Sequence, residues 1–288
     1  MRPKINTLVE RYKIGNILIL VKREDLAVDP PAPPFSKVRG LYTYLLKLKS
    51  QGIAVVGYVE TSISMAGWGV AWACAEIGMK AVLYDPQYKE TPPLLEYHRK
   101  QWEKFHPDIH PLPAGRARVN YYMGKRHLFA TYGTNAVMLG LGLPLEETIE
   151  ETAEEWRRTM RGLAEELLPL PKTTIVNVGS GTICAGLIRG WMPEEGTIIG
   201  VMGRSGRKKR KWNTIQEKSK RSLKQPGSIF GVPFRLEDPG WEYTEKSLCK
   251  CFFPCHPYYD RKAWQWLVEH IEELPQPILF WNIGRMNT

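Results

Sequence analysis

The chain has 288 residues, and 43% of them are hydrophobic, which is enough for a sizeable core in one large domain or two lobes. No run approaches the roughly 20 apolar residues of a membrane-spanning helix. The N-terminal stretch MRPKINTLVERYK also lacks the apolar core of a signal peptide. Five cysteines, an odd number, fit a reducing compartment better than a disulfide framework. We therefore expect a cytoplasmic protein with no membrane partner.

The net charge of +10 is concentrated in one segment. Arg204–Lys224, RSGRKKRKWNTIQEKSKRSLK, holds ten Lys or Arg residues and one Glu, so it carries +9 and leaves only +1 for the rest of the chain. The bulk of the surface is therefore nearly neutral, which argues against a generally basic protein. We call Arg204–Lys224 the basic segment and expect a loop, or a loop with a helix.

Apolar runs typical of strands alternate along the chain with amphipathic helical patterns. In chain order, the sequence predicts a strand at 16–23, a helix at 41–49, a strand at 53–59, a helix at 66–78, a strand at 80–85, helices at 93–105 and 145–168, a strand at 173–178, a helix opening in 179–191, a strand at 196–203, a helix at 261–274 and a strand at 277–284. This alternation predicts an α/β fold with mainly parallel sheets and helices on both faces.

The stretch NVGSGTICAG is the clearest local motif. A strand ends, glycines allow a tight turn, and a helix begins, so that free backbone N–H groups can hold a phosphate. The motif is not a Walker loop, because no Gly-Lys-Ser/Thr follows, and it is not a clean dinucleotide fingerprint. An ordinary glycine-rich turn explains the motif about as well as a phosphate site does.

Two further junctions between a strand and a helix carry polar residues. In PPFSKVRGLY, Lys37 follows a Pro-rich turn and opens a predicted helix. In ETSISMAGWGVA, the hydroxyls of Thr61, Ser62 and Ser64 lie between a strand and a helix of small residues. A lone lysine is normally solvated, but the hydroxyl loop predicts a second N-terminal anion site of the same kind as the glycine turn.

Taken in order, six segments resemble the pyridoxal-phosphate enzymes of the tryptophan-synthase β fold (fold type II). They are most similar to the branch of aminocyclopropane-carboxylate deaminase and D-cysteine desulfhydrase. The resemblance spans roughly Ile17 to Gly284 and is weakest between Arg204 and Lys250. The segments are VKREDL, PFSKVRGL, YVETSISMAGWGVAWACAEIGMKAVLYDP, VGSGTICAGL, HPYYDRKAW and ILFWNIG.

The resemblance implies a two-lobed architecture and a cofactor. Residues 1–47 and 151–288 would form a large cofactor-binding domain, and residues 48–150 a small domain. The cofactor would be pyridoxal 5'-phosphate, and the protein would be a homodimer.

The resemblance also assigns roles to individual residues. Lys37 falls on the lysine of the family motif GNKxRKL, which forms the Schiff base with the cofactor. Ser64 falls on the serine of QSNxxR, which contacts the substrate carboxylate or transfers a proton. Tyr259 matches a tyrosine that approaches the reacting carbon, and Asp260 occupies the position of an acid that pairs with the ring nitrogen. The phosphate cup GTGST corresponds to Gly179, Ser180, Gly181, Thr182 and Ile183.

Several family positions carry different residues here. Ser36 replaces the Asn before the lysine, and Met65 replaces the Asn that bonds the ring hydroxyl. Trp68 replaces the Arg of the serine loop, and Ile183 replaces a Thr of the phosphate cup. The terminal family motif HTGG is NIGR in this sequence, with Ile283 as its second residue. The substrate-facing loop is thus rebuilt, which puts both named family reactions in doubt and leaves the substrate open.

Two classes of function follow from the sequence. The first is a pyridoxal-phosphate-dependent lyase or deaminase that breaks a bond at the α-carbon of an amino acid by elimination, deamination or decarboxylation. The second is a catalytically weakened relative that binds a ligand or nucleic acid without turnover. Retention of Lys37 and Asp260 favours the enzyme, because a pure binding protein has no use for them.

The basic segment itself has two interpretations. It is a solvated surface, or it contacts phosphates of a nucleotide or nucleic acid, with Trp212 available for stacking beside Lys208, Lys209, Arg210 and Lys211. In the second case the amino-acid substrate would be carried on a nucleotide or nucleic acid.

One further cluster could suggest a metal site. The stretch CKCFFPCH offers Cys249, Cys251, Cys255 and His256, but its spacing is tighter than usual for structural zinc and no second pair is near. We expect no metal.

Overall fold

The computed structural model describes residues 2–115, 117–224 and 230–286, and strands alternate with helices along them. The strands are β1 (Val9–Ile14), β2 (Ile17–Arg23), β3 (Val55–Val59), β4 (Lys80–Gln87), β5 (Asp108–Pro113), β6 (Ala136–Met138), β7 (Thr173–Val178), β8 (Thr197–Met202), β9 (Phe234–Glu237) and β10 (Ile278–Asn282). The helices are α1 (Val38–Ser50), α2 (Ala66–Ile77), α3 (Pro93–Trp102), α4 (Ala117–Tyr132), α5 (Glu146–Glu165), α6 (Thr182–Gly190), α7 (Lys208–Ser219) and α8 (Asp260–His270).

The described chain divides into two compact units. The first consists mainly of Lys37–Leu145, with short segments near the N-terminus and at Val28–Pro33. The second consists of Lys4–Ala27, Pro34–Ser36 and the described residues from Glu146 onward. This division differs from the boundaries expected at 47/48 and 150/151, because α1 packs against α2 and α5 packs against α6.

The sheet of the second unit has the order β1-β2-β10-β7-β8-β9. Only β1 is antiparallel to its neighbour, and the other neighbouring pairs are parallel. Side chains alternate between two apolar cores: Val176 and Leu279 point to the core shared with α5 and α6, while Ile175 and Phe280 point to the core shared with α8. Burial on both faces is the reason that these strands read as continuous apolar runs.

The first unit holds a parallel sheet of order β5-β4-β3-β6. One face packs against α4 through Leu128, which lies so close to Gly57 of β3 that an added Cβ would meet its side chain at 2.7 Å. The other contacts of β3 and β4 include α2. The fold class predicted from the sequence, α/β with mainly parallel sheets and helices on both faces, is confirmed.

No helix within residues 2–115, 117–224 and 230–286 combines the length and the apolar character needed to cross a membrane.

Candidate functional site

In the first unit, Lys37 is the residue from which α1 begins. Its Nζ donates a hydrogen bond of 2.6 Å to the carbonyl oxygen of Gly142. The Gly142 amide in turn donates to the hydroxyl of Tyr58 on β3, at 3.2 Å. Gly142 follows β6, which is the parallel neighbour of β3. The Lys37 amine is therefore held at the carboxyl edge of this sheet, where ligands of α/β proteins usually bind.

The loop that carries Ser64 leaves the same edge of the sheet, between β3 and α2. Its conformation is set by Glu60, whose carboxylate accepts hydrogen bonds from the amides of Thr61 at 2.8 Å and Gly67 at 2.6 Å. Ser64 also bonds this carboxylate, while its Oγ accepts from the amide of Ala66. The loop and the start of α2 are thus organised around one buried acid.

Glu60 is a candidate functional residue that the sequence analysis did not single out. Its side chain is only 2% exposed, and burial raises the pKa of its carboxyl to about 8. At position 67 only glycine leaves room for it, since an added Cβ would stand 2.3 Å from Oε2. The available signal was an acid at the very end of an apolar strand, directly before the hydroxyl loop.

Two family departures in this loop are packing residues. Met65 precedes α2 and is buried. Trp68 is also buried, and its indole N–H donates to the carbonyl oxygen of Pro31 at 3.1 Å. Neither residue supplies the polar group that the family has at the same place, so the loop offers backbone amides and hydroxyls without an arginine.

In the second unit, the glycine turn joins β7 to α6. Gly181 is the N-cap residue of α6 and has φ +81°, a left-handed conformation that favours glycine. The start of α6 therefore has no hydrogen bond from a capping side chain. The hydroxyls of Ser180 and Thr182 lie 2.9 Å apart beside the turn. The first backbone N–H groups of a helix lack partners within the helix. An uncapped helix start behind a glycine turn therefore fits a phosphate group.

Ile183 contributes to packing and not to the polar lining of this turn. It lies on α6 and is 3% exposed within the core that α6 shares with α5. The hydroxyl that the family has at this position is therefore replaced by an apolar side chain that packs the helix against its neighbour.

The basic segment folds over the glycine turn. Most of it forms α7, and Ile215 of this helix would meet a Cβ at Gly181 at 2.9 Å. Lys211 Nζ donates to the carbonyl oxygen of Gly179 at 2.6 Å. Lys218 Nζ donates to the carbonyl oxygen of Ser180 at 2.9 Å and lies 3.2 Å from the Thr182 hydroxyl.

The other basic residues named from the sequence lie on the surface. Lys209 and Arg210 are exposed, and Lys208 forms a weak ion pair of 3.5 Å with Glu237. Sequence reasoning thus named Lys211 and missed Lys218, whose position seven residues further on returns it to the same side of α7.

The second unit also holds the Tyr-Asp pair at the start of α8. The Tyr259 hydroxyl lies 3.1 Å from that of Tyr243. The two carboxylate oxygens of Asp260 accept hydrogen bonds from the amides of Ile283 and Gly284, both at 3.1 Å. Asp260 is 1% exposed, and burial raises the pKa of its carboxyl to about 8.

Sheet register brings the glycine turn and the residues bound by Asp260 to one edge. β10 and β7 are parallel neighbours, with Trp281 paired to Val176. The turn after β7 and the Ile283–Gly284 segment after β10 therefore leave the sheet at the same end. The structure thus brings the predicted phosphate cup and Asp260 together within one unit.

The cysteine-rich stretch behaves as ordinary protein interior. Cys255 is buried, and Cys249 and Cys251 are half-buried against the core around α8. Across the described ranges, no cluster of three or more His, Cys, Asp or Glu residues is arranged to hold a metal ion.

Comparison with a curated protein decides the family. The chain is 34% identical, over an alignment 297 positions long, to the glycyl-dTMP PLP-dependent decarboxylase of Pseudomonas phage M6, and the alignment covers 97% of this chain and 98% of that protein. The chain belongs to the fold-type II pyridoxal-phosphate enzymes. Comparison with models of protein families finds no match.

Solved structures of this family share the fold at low sequence identity. A homologue of ACC deaminase superposes with a TM-score of 0.77 at 19% identity, covering 98% of this chain and 91% of the other. The threonine deaminase of T.th. gives 0.66 at 16% identity, covering 98% and 92%. Diaminopropionate ammonia lyase from Escherichia coli gives 0.62 at 14%, covering 93% and 78%.

The expectations drawn from the resemblance about family and cofactor are confirmed. The protein is a pyridoxal-phosphate-dependent enzyme, and its cofactor is pyridoxal 5'-phosphate. The glycine turn, with an uncapped helix behind it, fits the cofactor's phosphate group. The interpretation as a binding protein without turnover is not supported.

Proposed function

We propose that this fold-type II enzyme removes the carboxyl group of an amino acid carried on a nucleotide. The observation that carries the proposal is the 34% identity, over nearly the full length of both chains, to a protein whose name states decarboxylation of glycyl-dTMP. In this reaction the bond from the α-carbon to the carboxylate breaks, CO2 leaves, and the α-carbon takes up one proton. No oxidant or reductant is needed.

We assign cofactor-binding roles to the residues that match the family motifs. Lys37 is the attachment lysine, residues 179–183 hold the phosphate, and Asp260 pairs with the ring nitrogen. When bound, pyridoxal phosphate supplies an electron sink for the pair that CO2 leaves behind. The bond from Lys37 Nζ to the Gly142 carbonyl supports its role, because it fixes an amine at the carboxyl edge of a parallel sheet.

Asp260 suits a partner for a basic ring nitrogen. Its burial and its raised pKa allow the carboxyl to share a proton with a neighbouring base near neutral pH. The amides of Ile283 and Gly284 fix the orientation of the carboxyl and leave further lone pairs on both oxygens for a third partner.

A proton must be returned to the α-carbon, and three side chains are candidates for this step. Lys37, Ser64 and Tyr259 each end in a group that can hold a proton. Ser64 is connected to the Glu60 carboxyl, whose pKa of about 8 makes it a proton reserve behind the hydroxyl. Tyr259 is connected to the hydroxyl of Tyr243. We assign the transfer to Lys37.

The exposed part of the basic segment supports a substrate that carries phosphate. Lys209 and Arg210 lie on the surface at the start of α7, beside Lys208. A small free amino acid does not require this density of charge, whereas nucleotide phosphates are attracted by it. We assign these three side chains to the phosphate of the nucleotide or nucleic acid that carries the amino acid.

The test is a direct assay with purified protein loaded with cofactor. Glycyl-dTMP should release CO2 and yield a product that has lost its carboxyl group in mass spectrometry, while free glycine should react far more slowly. Lys37→Ala serves as the inactive control. Equal release from free glycine would overturn the nucleotide-carried substrate, and release from neither would overturn decarboxylation.

A further inference from the structure

Two lysines of α7 converge on the turn that fits the cofactor phosphate. Lys211 bonds the carbonyl of Gly179, and Lys218 bonds the carbonyl of Ser180 and lies near the Thr182 hydroxyl. They lie seven residues apart on α7, which is about two turns, so both side chains lie on the same face of the helix. Two cations are thus fixed beside one short turn.

Both lysines are partly buried. Burial lowers the pKa of each, that of Lys218 to about 8. Burying a cation is costly unless it meets an opposite charge. Their hydrogen-bond partners described above are neutral carbonyl and hydroxyl oxygens. The cations Arg204 and Arg210 lower the pKa of Lys211, and Lys211 lowers that of Lys218 more than Glu217 raises it. An anion at the turn would offset this cost.

The helix start alone offers only partial charges. The amides at the start of a helix amount to roughly half an elementary charge, whereas a phosphate monoester carries close to two negative charges near neutral pH. The family hydroxyl at Ile183 is also missing, which removes one donor. Two lysine ammonium groups balance the remaining charge and provide charge-assisted hydrogen bonds.

We infer that Lys211 and Lys218 bind the phosphate of pyridoxal phosphate at the glycine turn, an inference that rests on the function proposed above. The two lysines replace the donor lost at Ile183 and use α7 as a cover over the phosphate. The close packing of Ile215 on Gly181 keeps the helix in reach of the turn. The basic segment then has two parts: a partly buried side for the cofactor and an exposed start for the substrate.

Cofactor affinity tests this inference without any assay of turnover. Cofactor-free protein is titrated with pyridoxal phosphate and with pyridoxal, which lacks the phosphate, and binding is followed by absorbance. Lys211→Gln and Lys218→Gln should each weaken binding of pyridoxal phosphate on the order of tenfold or more. Binding of pyridoxal should not change, so the ratio of the two affinities falls.

Two further variants separate charge from structure. Lys220→Gln removes an exposed lysine that pairs with Glu146 just beyond α7, and it should leave the ratio unchanged. Lys218→Arg keeps the charge and should retain most of the ratio that Lys218→Gln loses. Circular dichroism and thermal unfolding check that each variant is folded.

The outcomes distinguish this inference from the proposed function. If wild-type protein binds pyridoxal phosphate and Lys211→Gln and Lys218→Gln keep the wild-type ratio, the inference is overturned while the cofactor site stands. An equal loss for both ligands would show that the lysines only hold α7 in place, which also overturns it. If wild-type protein binds pyridoxal phosphate and pyridoxal equally well, the phosphate site at the turn fails altogether.

Discussion

The carboxylate of Glu60 accepts a hydrogen bond of 2.6 Å from the backbone amide of Gly67, near the start of α2. The Glu60 side chain thus lies at the N-terminal end of α2, next to the loop that carries Ser64. Negative charge at this end is favoured by the helix dipole, yet burial holds the carboxyl pKa near 8. The geometry of the Ser64 loop therefore depends on one buried acid and one glycine.

Gly67→Ala tests this dependence. A Cβ at position 67 would stand 2.3 Å from Oε2 of Glu60, so the carboxylate must move and release the loop. We expect a loss of about 1–3 kcal/mol in the free energy of unfolding, as for other overpacked sites, and slower turnover. Gly162→Ala, at a helical glycine with open space around it, is the matched control. Wild-type stability of Gly67→Ala in urea unfolding would contradict the close contact.

The buried acids predict how stability varies with pH. Burial raises the pKa values of Glu60 and Asp260 to about 8 in the folded protein. In the unfolded chain both carboxyls have their ordinary pKa, so they lose their protons at a lower pH than in the folded protein. The folded state then binds more protons, and the free energy of unfolding falls as pH rises from about 4.5 to about 8. Each group contributes at most about 1.4 kcal/mol per pH unit.

Glu60→Gln isolates one of these contributions. The variant should be less stable than wild type at pH 5, because an amide cannot accept both backbone N–H bonds through its nitrogen. The deficit in the free energy of unfolding should shrink as pH rises to 8. In the wild type the unfolded chain gains stability by ionising Glu60, whereas the variant has no group to ionise at this position. Urea unfolding at several pH values measures the difference, and a deficit that stays constant or grows with pH would contradict the raised pKa.

Asp260→Asn is expected to bind cofactor but to react more slowly by roughly a hundredfold, the usual scale for loss of a positioned proton donor or acceptor. The amide retains the size of the carboxyl but cannot hold the ring nitrogen in its protonated form. The rate of a single turnover, measured with the cofactor site saturated, separates chemistry from binding. Wild-type rates would show that the carboxyl serves only to hold Ile283 and Gly284.

The exposed start of the basic segment is predicted to bind nucleic acid or nucleotide phosphates. Wild-type protein should bind oligonucleotides in fluorescence-polarisation titrations, with affinity that falls steeply as salt rises. Replacing Lys208, Lys209 and Arg210 with glutamine should flatten the salt dependence and leave cofactor absorbance unchanged. Absence of binding at low salt would instead make a mononucleotide the better candidate for the carrier.

Much of the fold could be predicted from the sequence, because a strand that is buried on both faces of a sheet consists of a continuous run of apolar residues. The strands β3, β7 and β10 are apolar runs, and the structure confirms each within a few residues. The predicted end of the helix at 66–78 is confirmed too, because Gly78 follows the last residue of α2 with φ +68°. By contrast, α4 was missed, since its buried residues include Asn120 and Gly124, which break an apolar pattern.

The site was less accessible to sequence reasoning, and the reason is physical. The glycine turn could be recognised because local backbone geometry requires glycine there. Glu60 and Lys218 could not, because a charged residue in the sequence gives no sign of burial until distant segments pack around it. The sequence left the basic segment open between a solvated surface and a phosphate contact, because the packing of α7 on Gly181 depends on the neighbouring helix start.

The central claim is that Lys37 carries the cofactor, and reduction with borohydride followed by peptide mapping tests it most directly. Borohydride fixes a pyridoxyl group on whichever lysine holds the cofactor, and it should bleach the absorbance near the visible edge. We predict that mass spectrometry finds the pyridoxyl group on Lys37, and that folded Lys37→Ala protein acquires none. A pyridoxyl group on another lysine, or unlabelled wild-type protein after loading with pyridoxal phosphate, would contradict the assignment.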